Sequence, residues 1–215
     1  MPVPFYLSGG TALSAYYLYH RLSDDLDFFT REAENLGAAR PLIERAAHAA
    51  GVTVDRISQR GELIQAFLSG DGEREHPLVK VECVTDPPPY FADPRDFSPV
   101  RVDDALCIAV NKTAIHTRFD PKDYVDLYLI VRELGYRIED LIAQAKEKMV
   151  GLDNLTLAAR FDMVDELPNL TRFMKAYMLV DVDEAEMVDF YKDWARRLYE
   201  EMPPETERDN AAHRE

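Results

Sequence analysis

The 215 residues are 47% hydrophobic and 30% charged, close to the averages of soluble globular proteins, and supply enough apolar surface for a core without staples. The net charge of −15 excludes a protein that coats nucleic acid through its overall field, because phosphate neutralisation needs clustered Lys and Arg; any such contact must be local. Cys83 and Cys107 lie in apolar runs with no Cys or His at ligand spacing and read as reduced core residues. No apolar stretch approaches the ~20 residues of a membrane span and no signal-peptide pattern opens the chain, so a cytoplasmic protein with no membrane partner is expected.

Residues 2–7 look extended, Ser8-Gly9-Gly10 breaks that pattern, and residues 11–19 have helical periodicity. Asp25-Leu26-Asp27-Phe28-Phe29-Thr30 then alternates polar with apolar as a half-buried strand does, which places Asp25 and Asp27 on one side. Residues 33–51 are helical in spacing, short strands are expected at 52–57 and 63–68, and 70–76 reads as a turn. The strongest strand signal is 78–84, with Lys80 and Glu82 on one face, and it ends at the helix-incompatible run Asp86-Pro87-Pro88-Pro89. Asp103-Asp104 marks a helix start for 105–117, Pro121 starts a second helix running through Val131, and amphipathic helices follow at 138–149, 152–164, 170–177 and 184–200. The expected fold is α+β: a mixed sheet flanked by helices over residues 1–100, a helical region over 101–202 completing an active-site cleft, and a disordered polar tail over 203–215.

Two aspartates one residue apart on a strand have their Cβ atoms about 6 to 7 Å apart, within reach of a shared Mg²⁺. Glu82 is the natural third acid, since its strand has no packing reason to carry one, and Lys80 is placed to pair with it. A glycine pair ahead of a helix offers backbone N–H groups and a positive helix end to phosphate oxygens, with the Ser8 and Thr11 hydroxyls beside them. Each feature also has a plain reading, because glycine turns are common and Asp-x-Asp pairs often end strands in solvent. Tyr16, Tyr17 and Tyr19 stack a base or, the commoner use of aromatics on a buried helix, fill the core. The histidines are scattered without zinc spacing, and His116 is structural or substrate-adjacent. Lys122 and Asp123 orient base, phosphate or acceptor; equally, Asp123 is an acid well placed in the first turn of the helix that Pro121 starts. The acidic run from Asp181 to Asp189 reads as a solvated helix face, with docking of a basic partner as the alternative.

The run Ser8-Gly9-Gly10-Thr11-Ala12-Leu13, followed by His20-Arg21-Leu22-Ser23-Asp24-Asp25-Leu26-Asp27-Phe28-Phe29, resembles the AbiEii/AbiGii toxin-type nucleotidyltransferases. These belong to the DNA polymerase β-like superfamily, whose hallmark is a glycine motif followed by a strand bearing Asp-x-Asp. A second stretch, Lys112-Thr113-Ala114-Ile115-His116-Thr117-Arg118 and on to Pro121-Lys122-Asp123-Tyr124-Val125-Asp126-Leu127, is similar to the family's Lys…Arg…Lys/Arg-Asp-x-x-Asp-Leu element. The likeness covers about residues 5–130.

The resemblance implies a nucleotidyltransferase fold and an enzyme that moves a nucleoside monophosphate from a nucleoside triphosphate to an acceptor. Family precedent makes that acceptor the tRNA 3′ end, within a bacterial toxin–antitoxin or phage-defence system and with a cognate antitoxin as partner. Mg²⁺, or Mn²⁺ in its place, is expected on Asp25, Asp27 and Glu82, with Lys112 as a catalytic cation on the triphosphate. Ser8, Gly9, Gly10, Thr11, Arg21, Lys112, Lys122 and Asp123 are the expected nucleotide-binding residues. A tRNA acceptor needs a basic groove, for which Arg40, Arg45, Arg56 and Arg60, with Lys112, Arg118 and Lys122, are the available source. Two other readings stand beside this one. The same site nucleotidylates a small molecule or a protein side chain, which the acidic charge favours, or the fold is a non-catalytic nucleotide-binding or interaction module.

Overall fold

A computed structural model describes residues 4–70, 79–114 and 119–202 and divides the chain into two compact units, 1–108 and 109–215. The first is built on a seven-stranded mixed sheet in the order β3-β4-β5-β2-β1-β7-β6, formed by β1 (Tyr6–Ser8), β2 (Asp25–Thr30), β3 (Val52–Arg60), β4 (Leu63–Gly70), β5 (Val79–Thr85), β6 (Arg95–Asp96) and β7 (Arg101–Val102). β2 is central, antiparallel to β1 and parallel to β5, while β4 pairs antiparallel with both β5 and β3. The α+β architecture expected from the sequence is the one observed.

Alternation along these strands sorts the sheet into two faces. One carries Leu26 and Phe28, Val81 and Cys83, Ile64, Ala66 and Leu68, which pack with Phe5 and with Leu36, Ala39 and Ile43 of the helical layer. Burying each larger side chain there contributes roughly 1.5–3 kcal/mol, so register is pinned: a one-residue slip of β2 would drive Asp25 and Asp27 into this core. That layer is a 3₁₀ segment, Ala33–Ala38, running into α2 (Ala39–Ala50), where a single long helix was expected; α2 ends at Gly51, whose φ of 68° turns the chain straight into β3. The small alanines of α2 leave an apolar cleft of about 380 Å³ between helix and sheet.

The other face receives the glycine motif. Gly9 and Gly10 are themselves the first residues of α1 (Gly9–Ala12), which continues into a wider-wound turn over Leu13–Leu18, closed by the Tyr19 N–H donating to the Ser14 carbonyl at 2.9 Å. The two-residue strands β6 and β7 carried no signal in the sequence, being too short for any period to show. The expected turn at 70–76 falls mostly outside the described residues, Gly70 itself ending β4, and the tail at 203–215 falls outside them entirely.

The division between units falls within α3 (Ala105–Thr113). The second unit holds α4 (Pro121–Glu133), α5 (Ile138–Lys148), α6 (Asn154–Asp162), α7 (Leu170–Tyr177) and α8 (Glu184–Glu200). Tyr124, Phe161 and Tyr191 form its aromatic centre, with Tyr191 5.1 Å from each of the other two rings and its hydroxyl donating to the Tyr124 carbonyl at 2.6 Å. Asp120, Asp153 and Asp183 cap α4, α6 and α8 with their side chains. Asp183, from the acidic run singled out in the sequence, thus has a structural duty. Among the described residues no helix is long and apolar enough to cross a membrane.

Candidate active site

Register places the polar face of the sheet in rows. Ser8 pairs with Asp27, Asp27 with Glu82, and Glu82 with Gln65, so these four side chains run in line across β1, β2, β5 and β4. The next row is Asp25, Lys80, Phe67 and Arg56. Asp25 and Asp27 share a face, as their alternation in the sequence requires, and both are only partly buried.

The glycine motif closes over this face. Gly9 has a φ of 67°, a backbone conformation that side chains resist, and a methyl built on it would overlap Asp27 Oδ2 and lie 2.9 Å from Asp27 Cγ. A methyl on Gly10 would overlap the guanidinium of Arg21, 3.3 Å from its Cζ. Arg21 is 4% exposed and its Nη1 donates to the Leu22 carbonyl at 2.9 Å, so it backs the glycine motif from inside the fold. The Ser8 hydroxyl donates to Asp103 Oδ2 at 2.7 Å; the Thr11 hydroxyl donates to the Ser23 hydroxyl at 2.9 Å and meets the Asp25 carbonyl. Both hydroxyls expected to serve phosphate therefore brace the motif against its neighbours. Tyr16 and Tyr17 pack on Phe97, at 5.1 and 6.0 Å, while Tyr19 is 65% exposed, so the cluster divides between packing and solvent.

Charge on the polar face is partly compensated. Lys80 Nζ lies 3.0 Å from Asp25 Oδ2 and 3.4 Å from Glu82 Oε2, and Gln65 donates to Glu82 Oε1 at 2.7 Å. Burial works against the Lys80 charge, but the hydrogen bond to Asp25 and the charges of Glu82 and Asp25 outweigh it and raise its pKa. Both Glu82 oxygens thus have partners, and among the described residues no three acidic, His or Cys side chains gather as a metal cage. The carboxylates of Asp25, whose Oδ2 meets Lys80, and Asp27 present hard oxygens on one face and fit Mg²⁺, which is commonly held by one or two carboxylates plus water and substrate phosphate.

Lys112, Lys122 and Asp123 belong to the second unit. Lys112 on α3 is 7% exposed, and its Nζ lies 2.6 Å from Asp123 Oδ1 and 2.8 Å from Asp126 Oδ2, both carboxylates being nearly sealed from solvent. Lys122 is half-buried, 3.5 Å from Asp120. Arg118 and His116 lie outside the described residues. Of the remaining basic residues, Arg40 and Arg45 are on α2, which packs on the apolar side of the sheet, whereas Arg56 and Arg60 extend the polar face at its β3 edge. The Arg56 guanidinium stacks 4.6 Å above the Phe67 ring.

Sequence reading missed Gln65, and it gave Ser23, Asp103 and Asp126, each noted in another connection, no place beside the motif or Lys112. Gln65 was findable as the one polar residue inside the apolar run of β4, and Asp126 as the residue three places after Asp123 on the same helix face. The contacts of Ser23 and Asp103 with the motif had no signal, since each is made only through the tertiary fold.

The chain is similar to several known proteins. It is 29% identical over 164 residues to the uncharacterized protein aq_aa25 of Aquifex aeolicus (strain VF5), covering 69% of this chain and 68% of that one. Its fold is shared with JHP933 from Helicobacter pylori, at a TM-score of 0.57 and 20% identity over 98% of this chain and 90% of the other. A putative nucleotidyltransferase from H. pylori aligns at a TM-score of 0.56 and 20% identity, over 92% and 87%. The family model described as nucleotidyl transferase AbiEii toxin, type IV toxin–antitoxin system, matches residues 3–209. That match takes in the glycine motif, the Asp25/Asp27 strand and the whole helical unit, and the chain therefore belongs to the AbiEii family of toxin-type nucleotidyltransferases.

Proposed function

We propose that the protein uses Asp25 and Asp27 to hold Mg²⁺ and transfers a nucleoside monophosphate from a nucleoside triphosphate to the 3′-terminal hydroxyl of tRNA. The observation that carries this reading is the packing of Gly9 on Asp27: it brings the half-buried start of a helix against the metal-type carboxylates. Backbone N–H groups of Gly9 and Gly10 take the phosphate oxygens of the nucleotide, and the buried Arg21 cation behind Gly10 adds positive potential there. The metal, when bound, neutralises charge that develops on the phosphoryl oxygens. The acceptor oxygen bonds to Pα as the bond from Pα to the bridging oxygen breaks; pyrophosphate leaves and the hydroxyl proton is released.

The acceptor rests on family precedent and on Arg56 and Arg60. From β2 to β3 is three strand spacings, about 14 Å. The two arginines are thus one to three nucleotides from the reacting hydroxyl, suited to backbone phosphates of an RNA. The toxin family implies a cognate antitoxin as well.

The test is incubation of purified protein with Mg²⁺, each α-labelled nucleoside triphosphate and total tRNA, with Asp27→Asn as control. Label on tRNA that is lost in the variant, with an unchanged thermal melt, supports the reading. Bound nucleotide with no RNA labelling redirects it to a protein or small-molecule acceptor, and no nucleotide binding to a non-catalytic module.

A further inference from the structure

We infer that Lys80 stands in for a second metal ion, so that this nucleotidyltransferase site holds one divalent cation where a three-carboxylate site holds two. The inference rests on the proposed metal-dependent reading of Asp25 and Asp27. Three carboxylates, Asp25, Asp27 and Glu82, occupy two neighbouring rows of the same sheet face, which by themselves make a strongly attractive field for two divalent ions. The Lys80 ammonium sits between two of them, 3.0 Å from Asp25 Oδ2 and 3.4 Å from Glu82 Oε2, where an ion shared by those residues would lie.

Its side chain is 26% exposed, so the ammonium is held by the sheet and not dangling in solvent. Neighbouring register fixes this geometry: Lys80 is the cross-strand partner of Asp25 and lies two residues before Glu82 on β5. Gln65 then donates to the other Glu82 oxygen at 2.7 Å, which holds that carboxylate with Oε2 towards Lys80. With one ammonium among three carboxylates, two negative charges remain, the charge of a single divalent ion. Glu82 is accordingly a positioning residue that orients Lys80, and Lys80 orients Asp25.

The experiment counts Mn²⁺ by electron paramagnetic resonance on the full chain, saturated with an α,β-methylene nucleoside triphosphate that cannot be cleaved. One bound Mn²⁺ per chain is expected for the wild type, two for Lys80→Met, one for Lys80→Arg, and one again for Lys80→Met combined with Glu82→Gln. Two ions on the wild type, or one on a folded Lys80→Met, overturns the inference while leaving the metal-dependent reading intact. No ion on the wild type overturns that reading itself. The wild-type count does not depend on any variant folding, and circular dichroism of Lys80→Met decides whether its count is used.

Discussion

The Cα of Gly9 lies directly against the carboxylate of Asp27, leaving no room for a methyl between them. This contact fixes the distance between the helix start proposed to hold phosphate and the expected metal ligand, and it makes two demands of one residue: a positive φ of 67° and no side chain. Gly9→Ala violates both. A non-glycine residue in that conformation costs on the order of 1–3 kcal/mol, and the overlap pushes Asp27 from its place. The variant is expected to melt several degrees lower and to lose roughly 10²-fold in transfer rate, as displacements near 1 Å do. Transfer at the wild-type rate with a normal melt would show that the close approach has no functional weight.

Cys83 makes the stability of the first unit sensitive to alkaline pH. It is 3% exposed on the core face of β5, and burial pushes its thiol up to about 12. The folded form keeps a proton that the unfolded chain releases from about pH 8.5 upward, so its contribution is fully present below that pH and is lost as pH rises towards 12. Through neutral pH this group leaves stability in denaturant titrations unchanged. Above about pH 9 it should fall, by up to about 1.4 kcal/mol per pH unit from this group. Above pH 10 the buried Tyr6, Tyr124 and Tyr191 phenols, each raised first by burial, steepen the decline. Cys83→Ala should remove the portion between pH 9 and 10; an identical slope in the variant would assign it elsewhere.

Much of this site was legible in the sequence because its determinants are local. Alternation in Asp25-Leu26-Asp27-Phe28 dictates which face each residue takes, and the same period on β5 puts Lys80 and Glu82 together. What the sequence could not give is the pairing between strands. That Asp25 faces Lys80 and not Glu82 is set by the β2–β5 register, which depends on long-range packing of Leu26, Phe28, Val81 and Cys83. Nor could spacing reveal that Arg21 folds inward behind Gly10, since the loop from residue 19 to 24 has no period. The helical unit was readable from its caps and apolar periodicity, whereas the 3₁₀ entry into α2 and the widened turn after α1 are local windings that periodicity averages over.

Arg56 and Arg60 test the acceptor separately from the nucleotide. Both lie on the polar face at the β3 edge, about three strands from Asp25, and Arg56 is steadied by the Phe67 ring. If they contact RNA phosphates, Arg56→Ala and Arg60→Ala should each weaken tRNA binding several-fold and reduce the salt dependence of binding by about one unit of slope, with nucleoside triphosphate affinity unchanged. Filter binding across a salt series reads this directly. An unaltered slope in the double variant would remove this edge from the acceptor path.

Lys112 separates a structural duty from a nucleotide-binding one. Its ammonium is buried with Asp123 and Asp126 at 2.6 and 2.8 Å, a triad carrying one more negative charge than positive. Removing the cation leaves two carboxylates facing each other out of water, a change that typically costs about 3–5 kcal/mol. Lys112→Met should therefore shift the denaturant midpoint strongly, and Lys112→Met with Asp123→Asn and Asp126→Asn should recover much of the loss, because the charges are then removed together. A purely structural role predicts that the folded triple variant binds nucleoside triphosphate as the wild type does. If the triple variant is stable yet binds nucleotide at least tenfold more weakly, the triad also serves the triphosphate, and the buried pairing describes only how Lys112 is held in readiness for it.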